Sequence, residues 1–238
     1  MDIETLKSKI DRQWGYRVAE ELRVRDLKNQ TYDQWLGTIT NVHYVKEPTG
    51  YLFQAAANVQ KELHKWGIVF CFIGGIPLQR WGEVRQTNDV DLTIFCDLGD
   101  ELKVFDVLDT ILDSRIEDPK QMVRFGRMYL GKTKSEIQVD ISLGFTPYER
   151  RMMERAIDVD YGVDIPLHCC SAEDLVITKT MAGRGQDWVD INRVIQRSGM
   201  NMDWELVYTE LESLLEMVYE EDRLTRLKSM VDTEYPKG

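Results

Sequence analysis

Stretches of apolar and alternating residues predict strands, with helical patterns between them. Residues 68–73 are all apolar and rich in β-branched and aromatic side chains, which is typical of a buried strand. Residues 89–92 and 136–143 alternate polar with apolar, so each strand turns one face to the core and carries polar side chains on the other. Helical spacing predicts helices over 51–66 and over 98–112; Leu98 is the first apolar position of the second, and the acidic residues of 97–100 are its cap.

A further alternation predicts a strand next to that of residues 136–143. Val123, Phe125 and Tyr129 alternate, and a turn over 131–135 follows, so this strand and the next should pair antiparallel. Together these elements predict an α/β fold with a mixed sheet.

The second half of the chain has mainly helical patterns. Helices are expected over 148–157, from Ser171, which stands as an N-cap with an acidic residue three positions on, and from Asp187. A short extended segment over 163–169 separates the first two. The apolar stripe of residues 203–219 predicts the final helix. We divide the chain into an N-terminal helical segment (1–47), an α/β core (48–146) and a mostly helical C-terminal lobe (147–238).

Candidate chemistry lies where the predicted strands meet loops. Gly74 and Gly75 end the apolar strand, and without a Cβ they allow a sharp turn and a close approach to phosphate. Asp89 and Asp91 leave one face of the next strand, and Asp140 lies on the polar face of another. Three carboxylates on neighbouring strands would form an oxygen-rich pocket suited to Mg²⁺ and a nucleotide triphosphate.

In this order, the glycine pair, the Asp-x-Asp and the later lone Asp resemble the nucleotidyltransferase superfamily, which has the polymerase-beta-like fold. The resemblance implies that Asp89 and Asp91 hold metal ions and that Asp140 is a metal ligand or the base for the attacking hydroxyl. All three would be catalytic. It also implies that Gly74 and Gly75 contact the triphosphate.

Other positions match the same family. Arg85 and Thr87 fit an Arg-x-Thr that many members carry just before the acidic pair. The C-terminal half resembles bacterial nucleotidyltransferase-like proteins related to abortive-infection and toxin–antitoxin toxins. This implies a nucleotide-binding role for Lys179 and Asp187, and by extension for Arg184 and Asp190. The ordinary alternative is a helix–turn–helix with surface charges and a capping Asp.

The implied reaction is Mg²⁺- or Mn²⁺-dependent transfer of a nucleoside monophosphate from a nucleotide triphosphate to an acceptor hydroxyl. A toxin-like enzyme would modify RNA, such as tRNA, or a protein, and would have an antitoxin protein as partner. Three alternatives stay open. One is an antibiotic nucleotidyltransferase of the aminoglycoside or lincosamide type, and another is a catalytically silent nucleotide-binding regulator. The third is a structural adaptor that uses the acidic helix, with the metal site incidental.

Composition excludes several classes of protein and of metal site. The formal net charge of −11 argues against nonspecific nucleic-acid binding over the whole surface. The four cysteines lack C-x-x-C spacing and are expected to be buried reduced thiols, and the three histidines form no zinc pattern. No signal peptide or membrane-spanning run is evident, so a cytoplasmic protein is expected.

Charge is unevenly distributed along the chain. Residues 120–155 contain eight basic and four acidic residues, whereas residues 203–222 contain eight acidic and no basic ones. This asymmetry favours an anionic acceptor such as RNA over a cationic antibiotic. The alternative is that the acidic helix folds back on the basic segment and neutralises it.

Overall fold

The computed structural model describes residues 48–236, so the helical segment predicted over residues 1–47 lies outside the described residues. The first half of the described chain alternates helices and strands: α1 (Pro48–Lys65), β1 (Phe70–Ile73), α2 (Gly75–Trp81), β2 (Asp89–Phe95), α3 (Glu101–Ile111), β3 (Asp113–Ser114), the helical turn α4 (Pro119–Gln121), β4 (Met128–Lys132) and β5 (Gln138–Gly144).

The second half adds five helices and two short strands: α5 (Pro147–Arg155), β6 (Ile157–Val159), β7 (Leu167–Cys169), α6 (Ala172–Ala182), α7 (Gly185–Ser198), α8 (Trp204–Val218) and α9 (Asp222–Glu234). The predicted cap is present, since Ser171 Oγ accepts a hydrogen bond from the Asp174 N–H at 3.1 Å. The helix over 203–219 was predicted to be the last one, which is wrong because α9 follows it.

Seven strands form one mixed sheet in the order β3-β4-β5-β2-β1-β7-β6. β2 is antiparallel to β1 and parallel to β5, and β4 and β5 form the predicted antiparallel hairpin. The predicted α/β fold with a mixed sheet is therefore confirmed. Because β7 pairs with β1, the sheet takes strands from both sides of the proposed boundary at residue 146, and that division of the chain stays a prediction.

Helices cover the sheet over two apolar cores. In one core α1 and α3 contribute Phe53, Leu63 and Leu108, which pack with the strand residues Leu92 and Ile141. The other core joins α2 to the C-terminal helices, and its fully buried members include Leu78, Leu175, Ile191, Leu211 and Leu227. All four cysteines are buried and free, as predicted.

The strand expected from Val123 to Phe125 is wrong, because these residues form a π-helical turn, Met122–Gly126, that continues α4. Asp118 caps α4 by accepting a hydrogen bond from the Gln121 N–H at 3.0 Å, with a proline at the first helical position. Val123 is buried but Phe125 is 74% exposed, so their alternation reflects a helical surface and not a pleat.

The expected start of α3 is also wrong by three residues. Leu98 is 69% exposed and precedes the helix, because Gly99 turns the chain with φ = 95° before Glu101 begins it. The Asp100 side chain makes no capping hydrogen bond and instead contacts Lys103 Nζ at 2.6 Å. Within residues 48–236, no helix combines the length and the apolar content that crossing a membrane requires.

Candidate functional site

The strand registers bring the predicted carboxylates to one end of the sheet. Asp91 stands opposite Ile73, the last residue of β1, and opposite Asp140 in the parallel strand β5. Asp89 lies two residues earlier on the same face of β2. We call this region, where β1 ends and β2 and β5 begin, the carboxylate end of the sheet.

Gly74 and Gly75 form the turn at the carboxylate end, and only glycine fits there. Gly74 has φ = 66°, and a Cβ at this position would overlap the Asp91 carboxylate. A Cβ on Gly75 would overlap the Thr87 hydroxyl group. The Gly75 N–H donates a hydrogen bond to Asp91. The glycine pair thus packs directly on the polar side chains of β2 and of the segment before it.

The three aspartates affect one another electrostatically. Burial, together with the negative charges of Asp89 and Asp140, raises the pKa of Asp91 to about 6, against the Gly75 hydrogen bond and the charge of Lys179, which lower it. Thr87 Oγ1 donates to Asp89 Oδ1 at 3.1 Å. The Asp91 carboxyl group therefore loses its proton at the cost of repulsion, which a bound cation would relieve.

Asp140 has a partner that the sequence did not suggest. Its Oδ1 is ion-paired with Arg115 Nη2, and Arg115 follows β3, 25 residues earlier in the chain. Burial raises the pKa of Asp140, Arg115 lowers it, and Asp89 raises it again. Arg115 belongs to no recognisable motif, and only the pairing of β3 with β4 brings it to the site.

The donor set fits a divalent cation, although the side chains do not surround one as they stand. Among residues 48–236 no three His, Cys, Asp or Glu side chains are grouped so that they could hold a metal ion. The three aspartates nevertheless supply the oxygen ligands that Mg²⁺ prefers, on adjacent strands and in electrostatic contact with one another. Their assignment as metal ligands stays a prediction.

Lys179 lies beside the carboxylates in a buried ionic network. Its Nζ contacts Asp190 Oδ2 at 2.8 Å and Asp187 Oδ1 at 3.3 Å, and its side chain is 7% exposed. Arg85 approaches the same Asp190 with two nitrogens, Nε at 3.1 Å and Nη2 at 3.0 Å. One carboxylate thus holds both predicted phosphate-binding cations.

Burial would raise the pKa of Asp190, but hydrogen bonds from Arg85, Lys179 and Gln186 lower it below its usual range. Although Asp190 is fully buried, these partners keep it ionised. In the sequence it was only a secondary candidate. The structure makes it the centre of the network.

Asp187 and Arg184 differ in how they relate to the site. Asp187 contacts Lys179 and also accepts the Arg184 N–H at 3.2 Å, which caps α7. The side chain of Arg184 is 81% exposed. The capping alternative is therefore real for Asp187, but it coexists with the contact to Lys179.

The acidic helix α8 does contact the basic segment. Arg151 binds Glu210 of α8 through Nε at 2.8 Å and Nη2 at 2.5 Å, and Arg155 reaches the same carboxylate at 3.3 Å. Arg155 is also paired with the buried Asp174 at 2.6 Å. Glu210 and Asp174 thus neutralise two of the eight basic residues counted over 120–155.

Comparison with protein families finds a match over most of this chain. The family described as "Nucleotidyl transferase AbiEii toxin, Type IV TA system" matches residues 61–235. That span contains every predicted site residue. No curated protein matches the chain.

Several solved structures are similar, at low identity. Antibiotic-resistance factor ANT(2'')-Ia has 13% identity and a TM-score of 0.40, covering 76% of this chain and 91% of that one. Lincosamide antibiotic adenylyltransferase LnuA has 13% identity and a TM-score of 0.40, covering 59% and 94%. An antigenic nucleotidyltransferase-like protein from Paracoccidioides brasiliensis has 15% identity and a TM-score of 0.40, covering 85% of this chain and 97% of that one.

Proposed function

Because the family match spans well over half of the chain, this protein belongs to the AbiEii nucleotidyltransferase toxins of type IV toxin–antitoxin systems, and we propose that it transfers a nucleoside monophosphate from a nucleotide triphosphate to an acceptor hydroxyl. The acceptor oxygen bonds to the α-phosphorus while the bond to the bridging oxygen breaks, and pyrophosphate leaves. The observation that carries this proposal is the register that sets Asp91 beside Asp140 and under the Gly74–Gly75 turn.

Asp89, Asp91 and Asp140 are the proposed ligands of Mg²⁺ or Mn²⁺. The repulsion that raises the pKa of Asp91 supports this role, because a cation among these carboxylates would remove it. When bound, a divalent cation neutralises triphosphate charge and lowers the pKa of the acceptor hydroxyl. Asp140 lies on β5, next to the strand that carries the other two aspartates, and is the proposed base for the hydroxyl proton.

The remaining predicted residues are proposed to bind the nucleotide. Gly74 and Gly75 are proposed to contact the triphosphate through their backbone, in a turn whose lack of Cβ atoms lets it pack on Asp91 and Thr87. Lys179 supplies a positive charge that already acts on Asp91. Asp187 forms an ion pair with Lys179, and Asp190 forms ion pairs with both Lys179 and Arg85. Such charges, fixed before the substrate arrives, need no reorganisation during the reaction.

The proposed acceptor is a macromolecule, RNA such as tRNA or a protein, and the proposed partner is an antitoxin. The basic segment supports RNA only through residues that the fold leaves unpaired. Lys134 and Arg124 are exposed, and neither forms an ion pair with a carboxylate of residues 48–236. Arg151 and Arg155 are not part of this surface, because they are paired with Glu210 and Asp174.

The test is incubation of the protein with each α-labelled nucleotide triphosphate, Mg²⁺ and a cell extract. Label on RNA or protein is expected. An Asp89→Asn/Asp91→Asn double variant should transfer no label while it keeps its fold, because it removes two of the three proposed ligands. Transfer by the double variant would place the site elsewhere, and label on a small molecule would support the antibiotic-type alternative.

Binding gives a second measurement that does not depend on the acceptor. With Mg²⁺ and nucleotide at 100 times the dissociation constant, the wild type should gain about 2.7 kcal/mol of stability. This corresponds to a rise in melting temperature of roughly 5–10 °C for a chain of this size. The double variant should lose that rise, whereas a silent regulator would show it without transferring label.

A further inference from the structure

Arg115 is held at the carboxylate end by four contacts. Its backbone N–H donates to the Leu130 oxygen at 2.9 Å, and its Nε donates to the Gly131 oxygen at 2.9 Å. Nη1 donates to Gln138 Oε1 at 3.0 Å, and Nη2 is paired with Asp140 Oδ1. Every nitrogen of the guanidinium is thereby used, and all four contacts are to the β4–β5 hairpin, Asp140 included.

This anchoring affects the two oxygens of Asp140 differently. Oδ1 is taken by Arg115, whereas Oδ2 accepts no hydrogen bond from any residue between 48 and 236. An ionised carboxylate accepts through both oxygens, so one remains for a further partner. Arg115 is 24% exposed and Asp140 is 31% exposed, which makes the pair accessible from solution and yet fixed by the sheet.

We propose that Arg115 is a positioning residue of the transfer reaction. It fixes Asp140 in one orientation, with Oδ2 as the atom that meets the metal ion or the acceptor proton. This inference rests on the proposed function, because it takes Asp140 to be a metal ligand. Lys179, Arg85 and the glycine turn, by contrast, serve the nucleotide.

Two opposite effects of Arg115 on metal binding must be weighed. Its positive charge weakens the attraction of Asp140 for a cation, and solvent at this partly exposed pair reduces that repulsion between Arg115 and the cation. Its hydrogen bond holds a metal ligand in place, and such support is typically worth 10- to 100-fold in metal affinity. Orientation should therefore outweigh charge, and removal of Arg115 should weaken metal binding.

The primary test is Arg115→Met, which keeps the apolar stem and loses the guanidinium contacts. Mn²⁺ affinity, measured by electron paramagnetic resonance of free Mn²⁺ with a non-hydrolysable nucleotide analogue present, should fall 10- to 100-fold. The rate of transfer should fall with it. KM for the nucleotide should change only a few-fold, because Asp89 and Asp91 remain. Arg115→Lys restores the charge without the three-way anchoring and should give an intermediate affinity.

Arg127→Met is the matched control. Arg127 is held in the same way at the other end of β5, with Nε donating to the Leu143 oxygen at 2.8 Å, Nη2 donating to the Cys96 oxygen at 2.6 Å and Nη1 paired with Glu101. Its loss should lower the melting temperature and leave Mn²⁺ affinity unchanged. Gln138→Leu removes one anchor of Arg115 only, and should weaken Mn²⁺ binding less than Arg115→Met does.

Asp140→Asn separates the inference from the proposed function. If Arg115 acts through Asp140, Arg115→Met should weaken Mn²⁺ binding no further in the Asp140→Asn background. Unchanged or tighter Mn²⁺ binding by Arg115→Met, with weaker binding by Asp140→Asn, overturns the positioning role and leaves the metal site standing. Mn²⁺ binding that Asp140→Asn does not alter shows that the proposed ligand itself is wrong, and the role of Arg115 falls with it.

Discussion

At the scale of single residues, the candidate site depends on what Gly74 lacks as much as on what Asp91 carries. Gly74 combines a positive φ with a position where any Cβ would overlap the Asp91 carboxylate. The Gly75 N–H donates to the same side chain. The turn therefore sets where the carboxylate lies, and the carboxylate in turn restricts the turn to glycine.

Gly74→Ala should abolish the rise in melting temperature on addition of Mg²⁺ and nucleotide, because the new methyl group displaces Asp91. Gly67→Ala is the matched control, since Gly67 has φ = 65° and nothing within 4 Å of an added Cβ. Both variants pay about 1–2 kcal/mol for an L-residue at positive φ. Thermal unfolding with and without ligand distinguishes them, and a Gly74→Ala protein that behaves like Gly67→Ala would show that the overlap is harmless.

At the scale of elements, Asp190 joins three parts of the chain. It lies on α7 and binds Lys179 of α6 and Arg85 of the segment before β2. A buried carboxylate between two cations adds little net stability, because desolvation offsets much of the attraction. Removing it, however, takes the carboxylate partner from Arg85 and leaves Lys179 with only the longer contact to Asp187 at 3.3 Å.

Asp190→Asn should lower the free energy of unfolding by about 3–5 kcal/mol, the range for breaking a buried pair from one side. Glu83→Gln is the comparison, because Glu83 pairs with Arg193 of α7 at 2.8 Å between the same elements but at the surface. Its loss should cost at most about 1 kcal/mol. Urea unfolding of both variants measures these changes in the free energy of unfolding. Equal losses would mean that burial of the network contributes nothing to stability.

The elements near the site were largely predictable from the sequence, and long-range pairings were not. Alternation in residues 89–92 placed Val90 and Leu92 in the core and the two aspartates outside it, because the period of a strand is local information. The sequence did not identify Arg115 as a site residue, because the two-residue strand β3 that precedes it leaves no pattern and its partner Asp140 lies 25 residues further along the chain. The strand prediction at Val123 and Phe125 was wrong because two residues this far apart share a face in a strand but point to opposite sides of a helical turn, which buries one and exposes the other.

At the scale of the whole molecule, pairing within the fold changes how its charge distribution is interpreted. The acidic helix α8 folds back on part of the basic segment, through Glu210 to Arg151 and Arg155. This was the alternative to an RNA-binding surface, and it holds for these two arginines. Reversing their charge would place carboxylates against Glu210 and Asp174 and would damage the fold before it tested any acceptor.

Lys134 and Arg124 provide the cleaner test of an anionic acceptor. Both are exposed, and Lys134 lies in the turn that leads into β5, next to the carboxylate end. Lys134→Glu/Arg124→Glu should weaken binding of an RNA acceptor several-fold, and wild-type affinity should fall steeply between 50 and about 200 mM salt. Binding can be followed by fluorescence anisotropy with a labelled transfer RNA.

Lys65→Glu is the control, because Lys65 is exposed at the end of α1 and precedes β1, away from the carboxylate end. It changes the net charge in the same direction as either single reversal, so a purely global charge effect would appear in all of these variants. Local recognition predicts that Lys65→Glu binds RNA like the wild type while the Lys134 variants do not. Affinity that ignores both salt and the reversal at Lys134 would exclude a polyanionic acceptor and point to a protein or a small molecule, since neither needs an unpaired cation near the carboxylate end.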